Sequence, residues 1–311
     1  MIDPQPDLTL TTSQAERVLE AWQGVPVACS KVVPLEGGMM NSVFQLDFDA
    51  APHRAVVKLH GPAGNPFASE ARALEYLSSE TACPSPLLYL HDDSARVIPH
   101  AFLLIEHLPG VCLKDLDLDS AAQDDIEAQL AEVLGELHDH TSTRWGPVDT
   151  NQPAAAWADI FVARLADARA HPALAERLAP DVLARIDHAI EGAGSALHDA
   201  GRPTLVHGDV WEGNLMVRLE DGRWRLTGLL DPDLQFADVE LELAYLEVFD
   251  HSRTAFFDAY ADHQTLRAGY QERRLFYWLH TALIHVALFG DEFFCEFTAR
   301  TAERIVERQN S

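Results

Sequence analysis

Basic residues are scarce in this 311-residue chain: 23 lysines and arginines stand against 49 aspartates and glutamates, a formal net charge of −26. Such a charge repels a phosphate backbone, so nucleic acid is not expected as a partner, whereas a cationic small molecule would be drawn in. Cysteine is sparse too. Cys29, Cys83, Cys112 and Cys295 lie far apart with no C-x-x-C pair, which argues against a zinc site or a dense disulfide framework and fits a reducing cytoplasm. Long hydrophobic runs are missing. The longest, Phe276 to Phe289, is interrupted by His280 and His285 and is too short for a bilayer, so it reads as a core helix and no membrane association is expected. Met1 to Thr11 has no basic stretch ahead of an apolar core, so export is not expected either. There is no internal repeat and no low-complexity segment.

What is present is a globular composition, 47% hydrophobic, with room for one large or two medium domains. Ala15, Val18, Leu19 and Trp22 recur at helical spacing, predicting a helix over Thr12 to Trp22 with Thr12 as a possible cap. β-rich runs follow at Val25 to Leu35, Ser42 to Asp49 and Arg54 to His60, then a helix over Pro66 to Ser79 and strands near Leu87 to Leu90 and Ala101 to Glu106. The pattern breaks at Leu108-Pro109-Gly110. Helices then dominate, with apolar stripes over Ser120 to His140 and Pro180 to Ala200. Short β-runs return at Thr204 to Val206, Leu215 to Leu219 and Trp224 to Leu230, the last two joined by an Asp221-Gly222 turn. Apolar helices over Val239 to Phe249, Ser252 to Tyr260 and Gln271 to Phe289 complete the chain. The expectation is an α+β fold in two lobes: a sheet-bearing lobe over residues 1–107 and a mostly helical one over residues 108–311. A monomer and a homodimer are both left open.

The most specific signal is His207-Gly208-Asp209-Val210-Trp211-Glu212-Gly213-Asn214, followed by Asp231-Pro232-Asp233. An aspartate and an asparagine five positions apart on a loop, then an aspartate at the end of a hairpin, match the D-x-x-x-x-N and metal-aspartate layout of kinases. Phosphoryl transfer needs placement more than covalent help: one carboxylate must orient the incoming hydroxyl while magnesium bridges the nucleotide phosphates. Asp209 suits the first task. A neutral amide and one carboxylate can hold magnesium without cancelling its charge, which suits Asn214 and Asp231. His207 reads as structural, bonded to backbone or to an acid, and Trp211 reads equally as packing or as the floor of an acceptor pocket.

A phosphate-contacting lysine is then required in the sheet, and Lys58 is the only lysine between Lys31 and Lys114. Glu70, twelve residues later at the start of the next helix, is its expected partner. Glu36-Gly37-Gly38-Met39-Met40-Asn41-Ser42 lies between two strands, where backbone amides of Gly38 to Ser42 could cover phosphates, although it matches neither a P-loop nor a full G-x-G-x-x-G. Gly37, Gly38, Met39, Met40, Asn41 and Ser42 are therefore candidate nucleotide contacts. So are Glu106, His107 and Leu108, whose backbone could meet a nucleotide base. His280 and His285 are five apart, not the four that place two rings on one helical face, which argues against a metal hydrolase.

With these residues in view, the chain resembles the aminoglycoside phosphotransferase superfamily, with its protein-kinase-like fold, and within it the fructosamine (ketosamine) kinase branch. The resemblance spans roughly Leu35 to Phe289 and rests on the Gly37-Gly38 loop, Lys58, Glu70, Leu104-Ile105-Glu106, His207-Gly208-Asp209, Gly213-Asn214 and Asp231. Trp211, two places after Asp209, and Pro232, directly after Asp231, point to the fructosamine branch. The resemblance implies ATP or GTP, Mg2+ and a small hydroxylated acceptor, and it gives Asp238 the part of an aspartate bracing the catalytic loop. Asp233 and the Met39-Met40 pair depart from that branch, which bears on the acceptor rather than on phosphoryl transfer.

Overall fold

The computed structural model describes residues 8–35, 41–61, 66–148, 155–249 and 254–310. In chain order the first elements are α1 (Thr12–Gln23), β1 (Cys29–Leu35), β2 (Ser42–Phe48), β3 (Arg54–His60), α2 (Ala68–Glu80), β4 (Leu88–Asp92), β5 (Ala101–Glu106), β6 (Val111–Cys112) and α3 (Ser120–His138). Then come β7 (Gly146–Pro147), α4 (Trp157–Arg169), α5 (Pro172–Arg177), α6 (Pro180–Ala196), β8 (Thr204–Val206), β9 (Leu215–Glu220), β10 (Arg223–Leu229) and β11 (Gln235–Ala237). Helices α7 (Val239–Phe249), α8 (Thr254–Tyr260), α9 (Tyr270–Leu288) and α10 (Glu292–Gln309) close the list. They form two compact units, Met1–Gln129 with Glu212–Asp233, and Leu130–Trp211 with Leu234–Ser311.

The first unit is built on an antiparallel sheet in the order β1-β2-β3-β5-β4. Strand parity sorts its side chains between two cores. Ala55, Val57 and Leu59 of β3 and Phe102 and Leu104 of β5 pack with Ala15, Val18 and Leu19 of α1. The alternate residues Ala101, Leu103 and Ile105 of β5 pack instead with Phe67, Ala71 and Leu74 around α2, and Val56 of β3 joins them. Lys58 has the parity of Val56, so β3 delivers its ammonium to the α2 side.

Local chemistry accounts for where the elements begin. The capping residue of α1 is Thr11, not Thr12: its hydroxyl accepts the Gln14 N–H while the Gln14 side chain accepts the Thr11 N–H, a reciprocal capping box. The first strand starts at Cys29, later than its apolar run suggests, because Gly24 closes α1 in the left-handed conformation and Pro26 has no N–H to offer a ladder.

The β-runs flanking the His207 to Asn214 segment belong to two sheets. β9 and β10 form a hairpin whose two-residue turn, Asp221 (φ 50°) and Gly222 (φ 79°), has the double positive φ that suits right-twisted strands, and β6 adds to β9. β8 pairs instead with β11, which also pairs with β7, in the second unit. That unit is otherwise helical among the described residues, with a core running through Trp157, Phe161, Ile186, Ala244, Tyr277 and Leu283 and their neighbours. Helix α4 escapes a periodicity reading because two of its five buried residues are alanines, Ala158 and Ala168. No helix among the described residues is long and apolar enough to cross a membrane.

Candidate active site

In the first unit, the Lys58 ammonium sits between two carboxylates. It donates to Glu70 Oε1 at 2.6 Å and to Asp231 Oδ1. The lysine side chain is 7% exposed and Glu70 16%, whereas Asp231 is 50% exposed, so the assembly opens to solvent on the Asp231 side. Burial alone would push the ammonium down, but the Asp231 and Glu70 charges outweigh it and hold its pKa above the usual lysine range, so the group stays charged. Glu70 lies in the first turn of α2, where the helix dipole favours an anion and no side chain caps the end.

Asp231 and Asn214 stand at neighbouring points of the β9–β10 hairpin. The Leu230 N–H donates to the Asn214 carbonyl at 2.8 Å, joining the residue before Asp231 to Asn214 itself. Asn214, only 6% exposed, ends a 3-10 turn over Glu212–Asn214, and the Gly213 carbonyl in that turn accepts from Cys112 Sγ at 3.0 Å. Asp231 has φ of 55°, in the left-handed region that aspartate tolerates better than most residues with a Cβ. One amide oxygen and one half-exposed carboxylate form a hard-oxygen donor set that suits magnesium. Among the described residues, no group of three or more His, Cys, Asp or Glu side chains is placed to hold a metal ion.

In the second unit, the loop from His207 to Trp211 lies against one face of α7. Glu242, Tyr245 and Phe249 are spaced by three and four residues, so they share that face. Glu242, 1% exposed, accepts the His207 N–H at 3.2 Å and the Gly208 N–H at 2.7 Å, and its Oε2 also meets His138 Nε2 at 2.7 Å. On its far side His138 Nδ1 is 2.6 Å from the Tyr260 hydroxyl, giving a buried Tyr260–His138–Glu242 line beneath the loop. Burial would raise the Glu242 carboxyl, but its bonds to His138 and the Gly208 amide, with the charges of His138 and His207, bring it below the ordinary glutamate value. The Tyr245 hydroxyl donates to Asp209 Oδ1, and the Phe249 ring stands 4.7 Å from that of Tyr245 and 6.4 Å from that of Trp211.

His207 is fully buried, and its Nδ1 accepts the Asp209 N–H at 3.4 Å, a bond to nearby backbone. Gly208, with φ of 88°, needs the freedom of glycine, while Gly213 does not. The brace of the loop is Glu242 rather than Asp238. Asp238 is fully buried, but it accepts from Arg267 at 2.6 and 2.8 Å and from the Tyr277 hydroxyl at 2.8 Å, so it fastens α9 and the segment before it.

Of the remaining candidates, Gly37, Gly38, Met39 and Met40 lie outside the described residues. Asn41 directly precedes β2, and the Ser42 hydroxyl accepts the Leu8 N–H at 2.8 Å. Glu106 ends β5 with its N–H given to the Leu87 carbonyl at 2.8 Å, and His107 and Leu108 follow it. Burial and the Arg54 charge push the His107 ring below the usual histidine value.

The profile of the family described as Fructosamine kinase matches residues 11–308. A protein of Lactiplantibacillus plantarum named "Probable ketoamine kinase" is 25% identical over 274 residues, covering 85% of this chain and 90% of that protein. A crystal structure of a candidate fructosamine-3-kinase from Haemophilus somnus superposes with a TM-score of 0.73 at 20% identity over 94% of this chain and 96% of that one. A thermostable mutant of the aminoglycoside phosphotransferase APH(4)-Ia, solved with AMP-PNP and hygromycin B, gives 0.66 at 18% identity over 95% and 98%. These likenesses bear out the kinase-like α+β fold. With a family match over almost its whole length, the chain belongs to the fructosamine kinase family and is a small-molecule phosphotransferase with a hydroxyl acceptor.

Proposed function

We propose that the chain transfers the γ-phosphate of ATP to a hydroxyl of a sugar–amine adduct. The observation that carries this reading is the charged Lys58 ammonium held between Glu70 and the half-exposed Asp231, an arrangement suited to the α- and β-phosphates of a nucleotide. Residues 1–107 are the proposed nucleotide lobe and residues 108–311 supply the catalytic loop and the acceptor pocket. Asn214 and Asp231 would hold magnesium, which when bound neutralises charge on the phosphates. Backbone amides of Gly38 to Ser42 would cover the phosphates. A base would lie along Glu106, His107 and Leu108, with donors from the latter two because the Glu106 N–H is committed to Leu87.

In the transfer, an acceptor oxygen lone pair forms the new bond to the γ-phosphorus as the bond to the β,γ-bridging oxygen breaks. The electron pair of the broken bond leaves on ADP. Asp209 orients the acceptor hydroxyl and receives its proton, then releases it to solvent. Lys58 holds the phosphates in register while Glu70 fixes the lysine.

The chain's acidity also suits a cationic aminoglycoside-type acceptor, and GTP is the alternative donor. One panel separates these readings: purified protein, ATP or GTP, Mg2+, and a ribulosamine, a fructosamine or kanamycin, with nucleoside diphosphate release as readout. Turnover of the fructosamine or ribulosamine is the expected result. A fructosyl amine left unphosphorylated beside a turned-over kanamycin would remove the first choice.

A further inference from the structure

The bond from the Tyr245 hydroxyl to Asp209 Oδ1 is used by nothing described so far. Tyr245 sits three residues after Glu242 and four before Phe249, on the face of α7 that serves the catalytic loop. Its ring is backed by Phe249, whose own ring contacts Phe294 at 5.9 Å and His285 at 5.2 Å. Phe294 is buried and its ring stacks on that of His285 at 4.2 Å, so the phenol rests on a packed aromatic wall. The Asp209 backbone is tied separately, through its N–H to His207 Nδ1. Main chain and side chain of the same aspartate are thus located by different elements.

We propose that Tyr245 is a positioning residue for phosphoryl transfer, fixing the rotation of the Asp209 carboxylate so that the acceptor hydroxyl meets it in one orientation. A carboxylate on a single-bonded side chain otherwise samples a broad torsional well, and misplacing a reacting group by about 1 Å can cost about 10²-fold in rate. Tyr245 moves no proton in this scheme. The inference rests on Asp209 orienting the acceptor, as proposed above.

The test compares wild type, Tyr245→Phe, Tyr245→Met and Asp209→Asn in steady-state kinetics with ATP, Mg2+ and whichever fructosyl or ribulosyl amine the wild type turns over. Methionine is included because its flexible thioether can fill the ring's place if phenylalanine does not fold. Losing a hydrogen bond to a charged group should lower kcat by about 10- to 100-fold while the KM for ATP stays within about twofold. A fall in kcat of less than about threefold in the folded variant overturns the inference. So does a fall matched by an equal rise in the KM for ATP, which marks a merely structural role. If Asp209→Asn itself keeps normal turnover, the reading of Asp209 fails. If Asp209→Asn is inactive and loss of the Tyr245 hydroxyl has no effect, only the role of Tyr245 fails.

Discussion

Replacing Glu242 by alanine removes the acceptor of three hydrogen bonds at once, from the His207 N–H, the Gly208 N–H and the His138 ring. Glu242 and His207 are buried to within 1% of full exclusion, so water cannot readily replace what is lost. A buried donor left without a partner, as at His207 and His138, costs about 1–3 kcal/mol and half-buried Gly208 less, so the three together cost about 3–6 kcal/mol. At about 2.1 cal/mol/K of unfolding entropy per residue, a 311-residue chain loses about 1.5 °C of melting temperature per kcal/mol, so Glu242→Ala should melt at least about 4 °C lower than wild type. Glu242→Gln should fall between the two, since an amide keeps one acceptor but turns an N–H toward another donor. Because the lost bonds locate the residues just before Asp209, kcat should fall at temperatures where the variant is still folded. The folded carboxyl lies below its ordinary value, so its stabilisation is present above an unfolded value near 4.5 and is lost as the pH falls through the folded value. Differential scanning calorimetry with parallel ADP-release kinetics checks all of this. A Glu242→Ala protein melting within about 2 °C of wild type, with unchanged kcat, would refute the claim that this side chain holds the loop.

Two further outcomes follow from the geometry. Lys58→Met leaves Glu70 and Asp231 facing each other without a cation, and it should weaken ATP binding at least about tenfold by calorimetric titration; equal affinity contradicts the clamp. The His280 ring, packed 5.2 Å from Phe161, is pushed down to about 4 by burial and then by the Arg164 charge. The unfolded chain therefore binds a proton first, and stability should fall by about 3 kcal/mol as the pH drops from 6.5 to 4. Urea midpoints across that range should fall less steeply in His280→Phe, and identical slopes contradict the assignment.

Much of the architecture could be read from the sequence because side-chain periodicity and folding agree there. The alternation through β3 sends Lys58 to the side where α2 offers Glu70, so a strand lysine and a helix-start glutamate twelve residues apart do meet. The D-x-x-x-x-N spacing similarly survives as a loop followed by a hairpin. What was not legible lies in α7. Its run Val239–Phe249 reads as an apolar core helix, and nothing local marks Glu242 and Tyr245 as partners of a loop more than thirty residues earlier. The available signal was spacing: Glu242 and Tyr245 are three apart and so share one face, although Glu240 and Glu247 in the same helix obscure it. The family resemblance gives Asp238 the bracing part, yet the helical turn carries Glu242, not Asp238, to the loop. Adjacency along the chain does not reveal the ladder of β8 either, because its partner β11 lies beyond the hairpin altogether.

The account as a whole depends on Asp209 acting on the acceptor rather than on the nucleotide. Asp209→Asn nearly preserves shape while removing the proton-accepting charge, so the decisive measurement pairs its kcat for ADP release, with Mg2+ and a fructosyl amine, with its Kd for ATP. The account predicts a kcat lower by about 10³-fold or more and a Kd within about twofold of wild type. Near-normal turnover, or a loss of ATP affinity large enough to explain the whole fall in rate, would contradict it.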